Sequence, residues 1–263
     1  MKLDDAYANV PYIPGGADYP ARWSAQAQAF RDALVAQGRA DLGLSYGPSE
    51  RQAFDLFHPE GPAKGLLVFV HGGYWLRFDR SLWSHLAAGA LARGWAVAMP
   101  SYDLCPAVRI ADITVQVARA VTAAAAARVY GPIALAGHSA GGHLVARMGM
   151  PGVLPEGIAG RLSHVMPISP VSDLRPLLQT SMNADFHLDM AAAEAESPAL
   201  MPAPAVPVTI WVGADERPVF LDQARWLAEA WGARHHVAEG RHHFDIIEAL
   251  ADPDSAMMDQ LLG

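Results

Sequence analysis

Segments with the patterns of strands and of helices alternate along most of this chain. The first buried strand is predicted at Leu66 to Val70, an uninterrupted apolar run that follows a break containing Pro and Gly. Beyond it the predicted elements are a helix near Ser81 to Arg93, a strand at Ala96 to Met99, a helix at Ile110 to Ala127, a strand at Ile133 to Ala136, a helix from Ala140, strands at His164 to Ile168 and Val208 to Val212, a helix near Val219 to Trp231, a short strand at His235 to Val237 and a terminal helix. Such alternation predicts an α/β fold in which a mostly parallel central sheet is flanked by helices on both faces.

The 263 residues contain no internal repeat, low-complexity linker or shift in composition, so we expect a single domain. Apolar residues at three- and four-residue spacing predict an amphipathic helix over Pro20 to Gln37, within an N-terminal helical extension of about residues 1–40. Alternation over Gln52 to Phe57 predicts a strand before Leu66. The stretch Ser169 to Val206 has no strong strand pattern, and we expect it to form a small cap-like insertion over the carboxyl edge of the sheet.

The composition is that of a globular protein, with 52% hydrophobic and 17% charged residues. The net charge of −8 and the absence of a basic run argue against nucleic acid as a partner. No apolar tract approaches the roughly 18 residues of a membrane span. Asp4 and Asp5 lie where a secretory leader would be apolar, so we expect a cytoplasmic protein. The expected partner is a small-molecule substrate. The oligomeric state is not determined by the sequence, and a homodimer is left open.

The residue types that hold metals and nucleotides lack the usual spacings. Cys105 is a lone cysteine, and the 11 histidines include no HExxH motif and no Cys–His cluster. Neither a GxGxxG motif after a strand nor a Walker motif occurs. We therefore expect no metal and no cofactor.

The strongest local motif is Gly-His-Ser-Ala-Gly, residues 137–141, between a predicted strand and a predicted helix. A GxSxG motif in that position forms a sharp turn that lifts the serine hydroxyl to the top of the sheet, and only small residues fit on either flank. The pattern predicts Ser139 as a nucleophile.

A second motif, His-Gly-Gly-Tyr-Trp at residues 71–75, follows the strand Leu66 to Val70 directly. Two glycines allow backbone amides to turn inward, so the amides of Gly72 and Gly73 are predicted to join that of Ala140 in an oxyanion hole. We expect His71 itself to be a structural hydrogen-bonding residue rather than a base.

A serine nucleophile needs a histidine base and an acid, which follow it in the chain in this architecture. Asp215 comes just after the strand Val208 to Val212 and is predicted as the acid, with the adjacent Glu216 as the alternative. His243 lies in a loop after the last strand and is predicted as the base, with His242 as the alternative.

With these motifs the chain resembles the α/β-hydrolase superfamily, and most closely its kynurenine formamidase (arylformamidase) branch, which is related to hormone-sensitive-lipase-like carboxylesterases. The residues that carry the resemblance are Tyr46-Gly47, Arg51, Asp55-Leu56-Phe57, the HGGYW motif, Tyr102 to Pro106, the GHSAG motif, Asp215, Pro218, Phe220 and His243-Phe244. His138 stands before the serine where lipases of the related type often have Asp.

The resemblance implies a catalytic triad of Ser139, Asp215 and His243, an oxyanion hole at Gly72, Gly73 and Ala140, and no cofactor or metal. It also implies a function in tryptophan catabolism, the hydrolysis of N-formylkynurenine to kynurenine and formate. Tyr74 and Trp75, together with the stretch Ser169 to Val206, are then expected to supply apolar walls for the aryl group of the substrate, with ordinary core packing as the alternative for Trp75. The alternatives are a carboxylesterase acting on short-acyl or aryl esters and, more remotely, an inactive scaffold that binds a ligand.

Overall fold

The computed structural model describes residues 2–127 and 129–263 and contains a twisted sheet in the order β1-β2-β4-β3-β5-β6-β7-β8. The first three strands along this order pair antiparallel, and the pairs from β4 onward are parallel. The bounds are β1 Ala40–Ser45, β2 Ala53–Phe57, β3 Leu66–Val70, β4 Ala96–Pro100, β5 Ile133–His138, β6 Leu162–Ile168, β7 Thr209–Gly213 and β8 Arg234–Ala238. The predicted α/β fold class is thereby confirmed.

Helices connect these strands and cover both faces of the sheet. In the described ranges the α-helices are α1 Tyr19–Ala36, α2 Ala88–Ala92, α3 Ile110–Ala126, α4 Ala140–Met148, α5 Glu156–Ala159, α6 Asn183–Phe186, α7 Met190–Ala195, α8 Pro218–Trp231 and α9 Ala256–Leu262. Short 3₁₀ turns lie at Val10–Tyr12, Gly16–Asp18, Arg80–Leu82, Ser84–Ala87, Arg175–Gln179, Pro198–Leu200 and Ile246–Leu250.

The central strand β3 shows why an unbroken apolar run predicts a buried strand. Successive side chains of a strand point to opposite faces. Leu66, Val68 and Val70 accordingly pack in the core beneath α3 and α4, whereas Leu67 and Phe69 pack in the core on the side of α1 and α9. Because helices cover both faces, every position of β3 is apolar and its carboxyl end carries the loop at residues 71–75 to the edge of the sheet.

Two elements differ from the sequence prediction. Strand β1 was not predicted. Its residues alternate, with Ala40, Leu42 and Leu44 separated by polar residues and Gly43, but the segment is short, contains a glycine and is mostly exposed. The helix expected near Ser81 to Arg93 is broken into two 3₁₀ turns and the short α2. Gly89 in that segment packs so closely that an added Cβ would lie 2.4 Å from the Leu250 carbonyl oxygen, so contact with the C-terminal region decides the local geometry.

The stretch from 169 to 206 is without strands and is attached to the helix that follows Ser139. Glu196, which is 8% exposed, pairs with Arg147 of α4 at 3.1 Å and accepts a hydrogen bond from Thr114 of α3 at 2.8 Å. His143 of α4 bonds to the Glu196 carbonyl oxygen at 2.7 Å. These contacts hold the stretch against α3 and α4, close to the carboxyl ends of the central strands.

Candidate active site

The GHSAG segment forms a tight turn between β5 and α4. Ser139 has φ 56° and ψ −117°, a strained conformation for a residue with a side chain, and it is 3% exposed. A Cβ on Gly137 would lie 2.2 Å from the Gly141 carbonyl oxygen, and one on Gly141 would lie 2.0 Å from the Val70 carbonyl oxygen. The turn therefore has no room for a side chain at either glycine, as its sequence predicts.

A buried carboxylate and imidazole face each other next to this turn. His243 Nδ1 lies 2.5 Å from Glu216 Oε2, and the Glu216 side chain is completely buried. The other carboxylate oxygen accepts hydrogen bonds from the Gly213 amide at 2.9 Å and from the Ser169 hydroxyl. With Nδ1–H donating to Glu216, the neutral ring keeps Nε2 as a proton acceptor, and Nε2 has no hydrogen-bond partner among residues 2–127 and 129–263.

The prediction that Asp215 holds the imidazole is wrong, and its alternative Glu216 takes that place. Asp215 is exposed, its backbone amide donates to the Arg241 carbonyl oxygen at 2.9 Å, and its carboxylate makes no hydrogen bond or ion pair with a described residue. Glu216 is one residue further into the turn and one methylene longer, so its carboxylate reaches back to His243 and the Gly213 amide.

His243, rather than His242, lies against the carboxylate. The Nδ1 atom of His242 accepts the amides of Phe244 and Asp245 at 3.1 and 3.3 Å, and its Nε2 lies 3.1 Å from the Tyr19 hydroxyl. Because both ring nitrogens of His242 are engaged in holding the loop against α1, His242 is a structural residue and the alternative assignment fails.

Three backbone amides near Ser139 donate no hydrogen bond to any residue that the structure describes: those of Gly72, Gly73 and Ala140. A Cβ on Gly72 would lie 3.0 Å from the Ser139 Cβ, so this glycine is directly beside the serine. Gly73 has φ 112°, a conformation that side chains disfavour. The predicted oxyanion-hole residues thus present unused donors beside the hydroxyl-bearing residue.

His71 supports this loop from inside the protein. Its Nδ1 donates to the Gly72 carbonyl oxygen at 2.7 Å, its ring stacks on Tyr102 at 4.4 Å, and the Tyr102 hydroxyl donates to the His71 carbonyl oxygen at 2.8 Å. Burial lowers the pKa of His71 to about 4, so the ring is neutral near pH 7. These contacts agree with the expected structural role.

Ser139 and His243 both line one cavity of about 360 Å³. Much of the rest of its wall is aromatic, and the Tyr, Trp and Phe side chains in it are those of Tyr7, Trp23, Tyr74, Phe78, Trp83 and Phe244. Ser181 and Met182 of the stretch 169–206 contribute from another side. The volume is at the lower end of the range of about 300–1,000 Å³ typical of small-molecule sites.

The two aromatic residues after Gly73 point in different directions. Tyr74 lines the cavity, and its hydroxyl donates to the Tyr7 carbonyl oxygen at 2.7 Å. Trp75 is completely buried and packs edge-on against His143 and Phe186, with ring centroids 5.2 and 5.7 Å away. Trp75 is therefore a core residue, and the expectation that it contacts the substrate is wrong. Both residues have φ near 55°, and this backbone turn sends the second ring into the core.

The segment before α1 closes one side of the cavity, which the sequence did not indicate. Tyr7 is 2% exposed, and its hydroxyl accepts a hydrogen bond from the Gln223 side chain of α8 at 2.9 Å. Asn9 and Val10 follow it in the cavity wall. Between residues 2 and 18 the regular elements are two short 3₁₀ turns, and so short an element has no periodicity from which such a placement could be predicted.

Buried neutral histidines make the fold sensitive to acid, and we expect its free energy of unfolding to fall as the pH drops from 6.5 to 4. Burial lowers the pKa values of His71 and His143 to about 4 from the ordinary 6.5. In this pH window the unfolded state binds more protons than the folded state. Each of the two histidines therefore lowers the free energy of unfolding by up to about 3 kcal/mol at pH 4. Urea denaturation at pH 7, 5 and 4 measures the loss.

The variant His143→Gln should flatten this pH dependence, because glutamine keeps a donor for the Glu196 carbonyl oxygen and does not titrate. The matched control is His187→Asn, which removes an exposed histidine whose φ is 51°. An equal slope in the wild type and in His143→Gln would contradict the explanation.

No group of three or more His, Cys, Asp or Glu residues in the described ranges is arranged to hold a metal ion. Nor does any helix found there have the length and apolar character needed to cross a membrane.

The fold and this site define a class of protein. The profile of a family described as "alpha/beta hydrolase fold" matches residues 67–242, which include the two glycines of the HGG motif, the GHSAG turn and Glu216. The chain belongs to the α/β-hydrolase family and is a hydrolase.

Two kynurenine formamidases are similar to this chain over most of its length. Kynurenine formamidase from Drosophila melanogaster is 31% identical over 245 residues, which span 86% of this chain and 81% of that protein. Kynurenine formamidase from Danio rerio is 25% identical over 238 residues, spanning 84% and 80%. The resemblance predicted from the motifs is therefore confirmed.

Solved structures show the same architecture. A protein from Silicibacter sp. TM1040, provisionally described as a thioesterase, is 61% identical over 100% of both chains, with a TM-score of 0.98. Esterase B from Lactobacillus rhamnosis shares the fold, with a TM-score of 0.65 and 16% identity over 93% of this chain and 92% of that one.

Proposed function

We propose that the protein is a serine hydrolase that cleaves a small acyl amide or ester through an acyl-enzyme. Ser139 is the nucleophile, His243 the general base and Glu216 the acid that orients it. The observation that carries the proposal is the buried Glu216–His243 pair, whose imidazole lines the same cavity as the strained Ser139. A serine hydroxyl is a weak nucleophile until a base takes its proton, and this arrangement supplies the base.

In the proposed mechanism Ser139 Oγ attacks the substrate carbonyl carbon while His243 Nε2 takes the hydroxyl proton. Glu216 stabilises the resulting imidazolium through the 2.5 Å bond to Nδ1. When the bond from carbon to the leaving group breaks, the imidazolium returns the proton to the departing amine or alcohol. A water then repeats the attack with the same base and releases the acid.

The negative charge that develops on the carbonyl oxygen needs donors already in place. The free amides of Gly72, Gly73 and Ala140 are the proposed oxyanion hole. Losing one such donor typically costs about 10²–10³ in kcat. His138 contributes no charge to this region, because burial lowers its pKa well below 6.5 and the ring stays neutral beside His243.

N-formylkynurenine is the substrate we propose, with kynurenine and formate as products in tryptophan catabolism. The aromatic wall around Ser139 suits a planar aryl amine, and a formyl group needs almost no acyl pocket. The similarity to kynurenine formamidases over most of the chain supports this choice. A carboxylesterase acting on short-acyl or aryl esters is the second candidate, and the shared fold with esterases favours it.

Steady-state kinetics on three acyl compounds test the proposal. N-formyl-L-kynurenine, p-nitrophenyl acetate and acetyl-coenzyme A present a formamide, an ester and a thioester to the same enzyme. We expect kcat/KM to be highest for the formamide by at least about tenfold, because binding of the aryl amine contributes to transition-state stabilisation only for that substrate. A preference for the ester would establish the carboxylesterase, a preference for the thioester would contradict both candidates, and no turnover of any would favour a binding scaffold.

A further inference from the structure

The loop that carries two of the free amides is joined to the segment before α1, residues 2–18, through the side chain of Tyr74. Its hydroxyl donates to the Tyr7 carbonyl oxygen at 2.7 Å, although the two residues are 67 positions apart in the chain. Burial raises the pKa of Tyr74 well above its ordinary value of 10, so the hydroxyl keeps its proton and remains a donor. Because Tyr74 directly follows Gly73, this hydrogen bond acts on the backbone next to the proposed oxyanion amides.

The backbone around Tyr74 has a conformation that needs support from its surroundings. Gly73, Tyr74 and Trp75 have φ values of 112°, 54° and 55°, in the left-handed region that residues with side chains disfavour. Such a conformation persists only where other contacts hold it. On the side of the loop that follows Tyr74, the Leu76 and Arg77 amides donate to the Gly73 carbonyl oxygen at 3.0 and 3.2 Å. The Tyr74 hydroxyl adds a contact from outside the loop.

Tyr7 is a well-fixed acceptor because its own side chain is anchored in the core. It is 2% exposed, its hydroxyl accepts a hydrogen bond from Gln223 at 2.9 Å, and its ring packs edge-on against Phe220 with centroids 6.1 Å apart. Gln223 is completely buried and also accepts the amides of Ser172 and Asp173 at 2.7 Å. The Tyr7 carbonyl is thereby tied to α8 through the Tyr7 side chain.

An ion pair also joins this segment to the turn that carries the proposed acid. Arg217, the residue after Glu216, pairs with the Asp5 carboxylate at 2.9 Å and donates to the Asp5 carbonyl oxygen at 3.1 Å. Its guanidinium lies over the Tyr12 ring, 3.5 Å from the centroid. Because the Asp5 side chain is 76% exposed, this pair contributes little stability, and we assign the anchoring of Tyr7 to its buried contacts.

We propose that Tyr74 and Tyr7 are positioning residues of the oxyanion hole. The segment before α1 holds the Tyr74 hydroxyl, and Tyr74 in turn keeps the amides of Gly72 and Gly73 directed at the developing oxyanion. The inference rests on the proposed serine-hydrolase function, in which these amides stabilise the transition state. Preorganised donors act only while their geometry is maintained, so a looser loop should lower kcat and leave substrate binding nearly unchanged.

Tyr74→Phe removes the hydroxyl alone and tests the proposal by turnover. We expect kcat for p-nitrophenyl acetate to fall about tenfold, less than the roughly 10²–10³-fold cost of deleting an oxyanion donor, because the amides remain but are misaligned. KM should stay within about twofold. The matched control is Tyr46→Phe, which likewise removes a hydroxyl that donates to a backbone carbonyl, that of Ser101 at 2.6 Å, outside the cavity wall. The control should retain kcat within about twofold.

Tyr7→Phe supplies an independent variant of the same path. It removes the hydroxyl that accepts from Gln223 and keeps the carbonyl that accepts from Tyr74, so we expect kcat to fall about threefold. In the double variant with Tyr74→Phe the two losses should not multiply, since both act through one hydrogen bond. Losses that multiply would overturn the proposal. So would a Tyr74→Phe effect confined to KM, because the hydroxyl would then contact the substrate directly.

Hydrogen exchange measures the loop without turnover and separates this inference from the proposed function. The Leu76 and Arg77 amides both donate to the Gly73 carbonyl oxygen, so their exchange reports opening of the loop. We expect NMR to show these amides exchanging at least about threefold faster in Tyr74→Phe than in the wild type, and unchanged in Tyr46→Phe.

The outcomes for the two proposals are distinct. If the wild type cleaves no acyl compound but Tyr74→Phe speeds the exchange, the hydrolase proposal fails and the hold of Tyr74 on the loop stands. If the enzyme is an active hydrolase and Tyr74→Phe leaves kcat or the exchange unchanged, the positioning role is overturned and the hydrolase function stands. Equal changes in Tyr46→Phe would also overturn the positioning role, because any lost tyrosine hydroxyl would then have the same effect.

Discussion

Replacing Ser139 by alanine is expected to lower kcat by about 10⁴-fold or more, because every covalent step of the proposed mechanism passes through its hydroxyl. The fold should not change. The Ser139 hydroxyl makes no hydrogen bond with the described residues, and alanine keeps the Cβ that the turn already accommodates. Hydrolysis of p-nitrophenyl acetate measures the loss, and circular dichroism with thermal unfolding checks the fold.

Histidine variants supply the matched comparison for this prediction. His243→Gln should lose activity on the same scale, since glutamine cannot take a proton. His242→Gln should keep most of it, because His242 is engaged with the Tyr19 hydroxyl and two backbone amides rather than with the site. Near-full activity of Ser139→Ala, or a greater loss in His242→Gln than in His243→Gln, would refute the assigned roles.

The second large effect on kcat is expected when the proposed acid, Glu216, is replaced. Glu216→Gln is expected to lower kcat by about 10³–10⁴-fold, because an amide at this position no longer stabilises the imidazolium and favours the wrong tautomer of His243. The loss should be in kcat rather than in KM, since Glu216 is completely buried and lies outside the wall of the cavity. Steady-state kinetics on one ester substrate across the variants measures it.

Asp215→Asn is a close control for Glu216→Gln. The two residues are neighbours and each change removes one negative charge, yet Asp215 is exposed and makes no contact with His243. We expect Asp215→Asn to retain activity within about twofold, as is usual for a surface substitution. The opposite ranking of these two variants would restore Asp215 as the acid.

Most strands of the fold could be predicted because their signal is local. The run Leu66 to Val70 is apolar at every position since both faces of β3 are covered, and no distant contact is needed to interpret it. Strand β1 has no such apolar run, because most of its residues are exposed. It is a strand mainly because it pairs with β2. Likewise the segment around Gly89 has helical composition but is shaped by its contact with the Leu250 carbonyl oxygen.

The candidate site likewise contains some residues that a local motif predicts and others whose roles depend on distant contacts. The glycines flanking Ser139 are required by the turn itself, so the motif alone predicted the tight turn that the structure contains at this serine. The choice between Asp215 and Glu216 depends on which carboxylate reaches His243, 27 positions along the chain, and adjacent acids after one strand look equivalent in sequence. Trp75 was misassigned for a related reason, because only the pair of left-handed φ values sends its ring into the core.

The amino-acid sequence by itself therefore determined the α/β class, the position of the elbow serine and the loop of free amides, since each depends on residues adjacent in the chain. The tertiary structure alone decided that Glu216 is the carboxylate on His243 and that the segment before α1, with Tyr7 and Asn9, walls the cavity. These features join residues that are far apart in sequence. Their geometry follows from how the sheet, α1 and α8 pack together, and no local pattern encodes that packing.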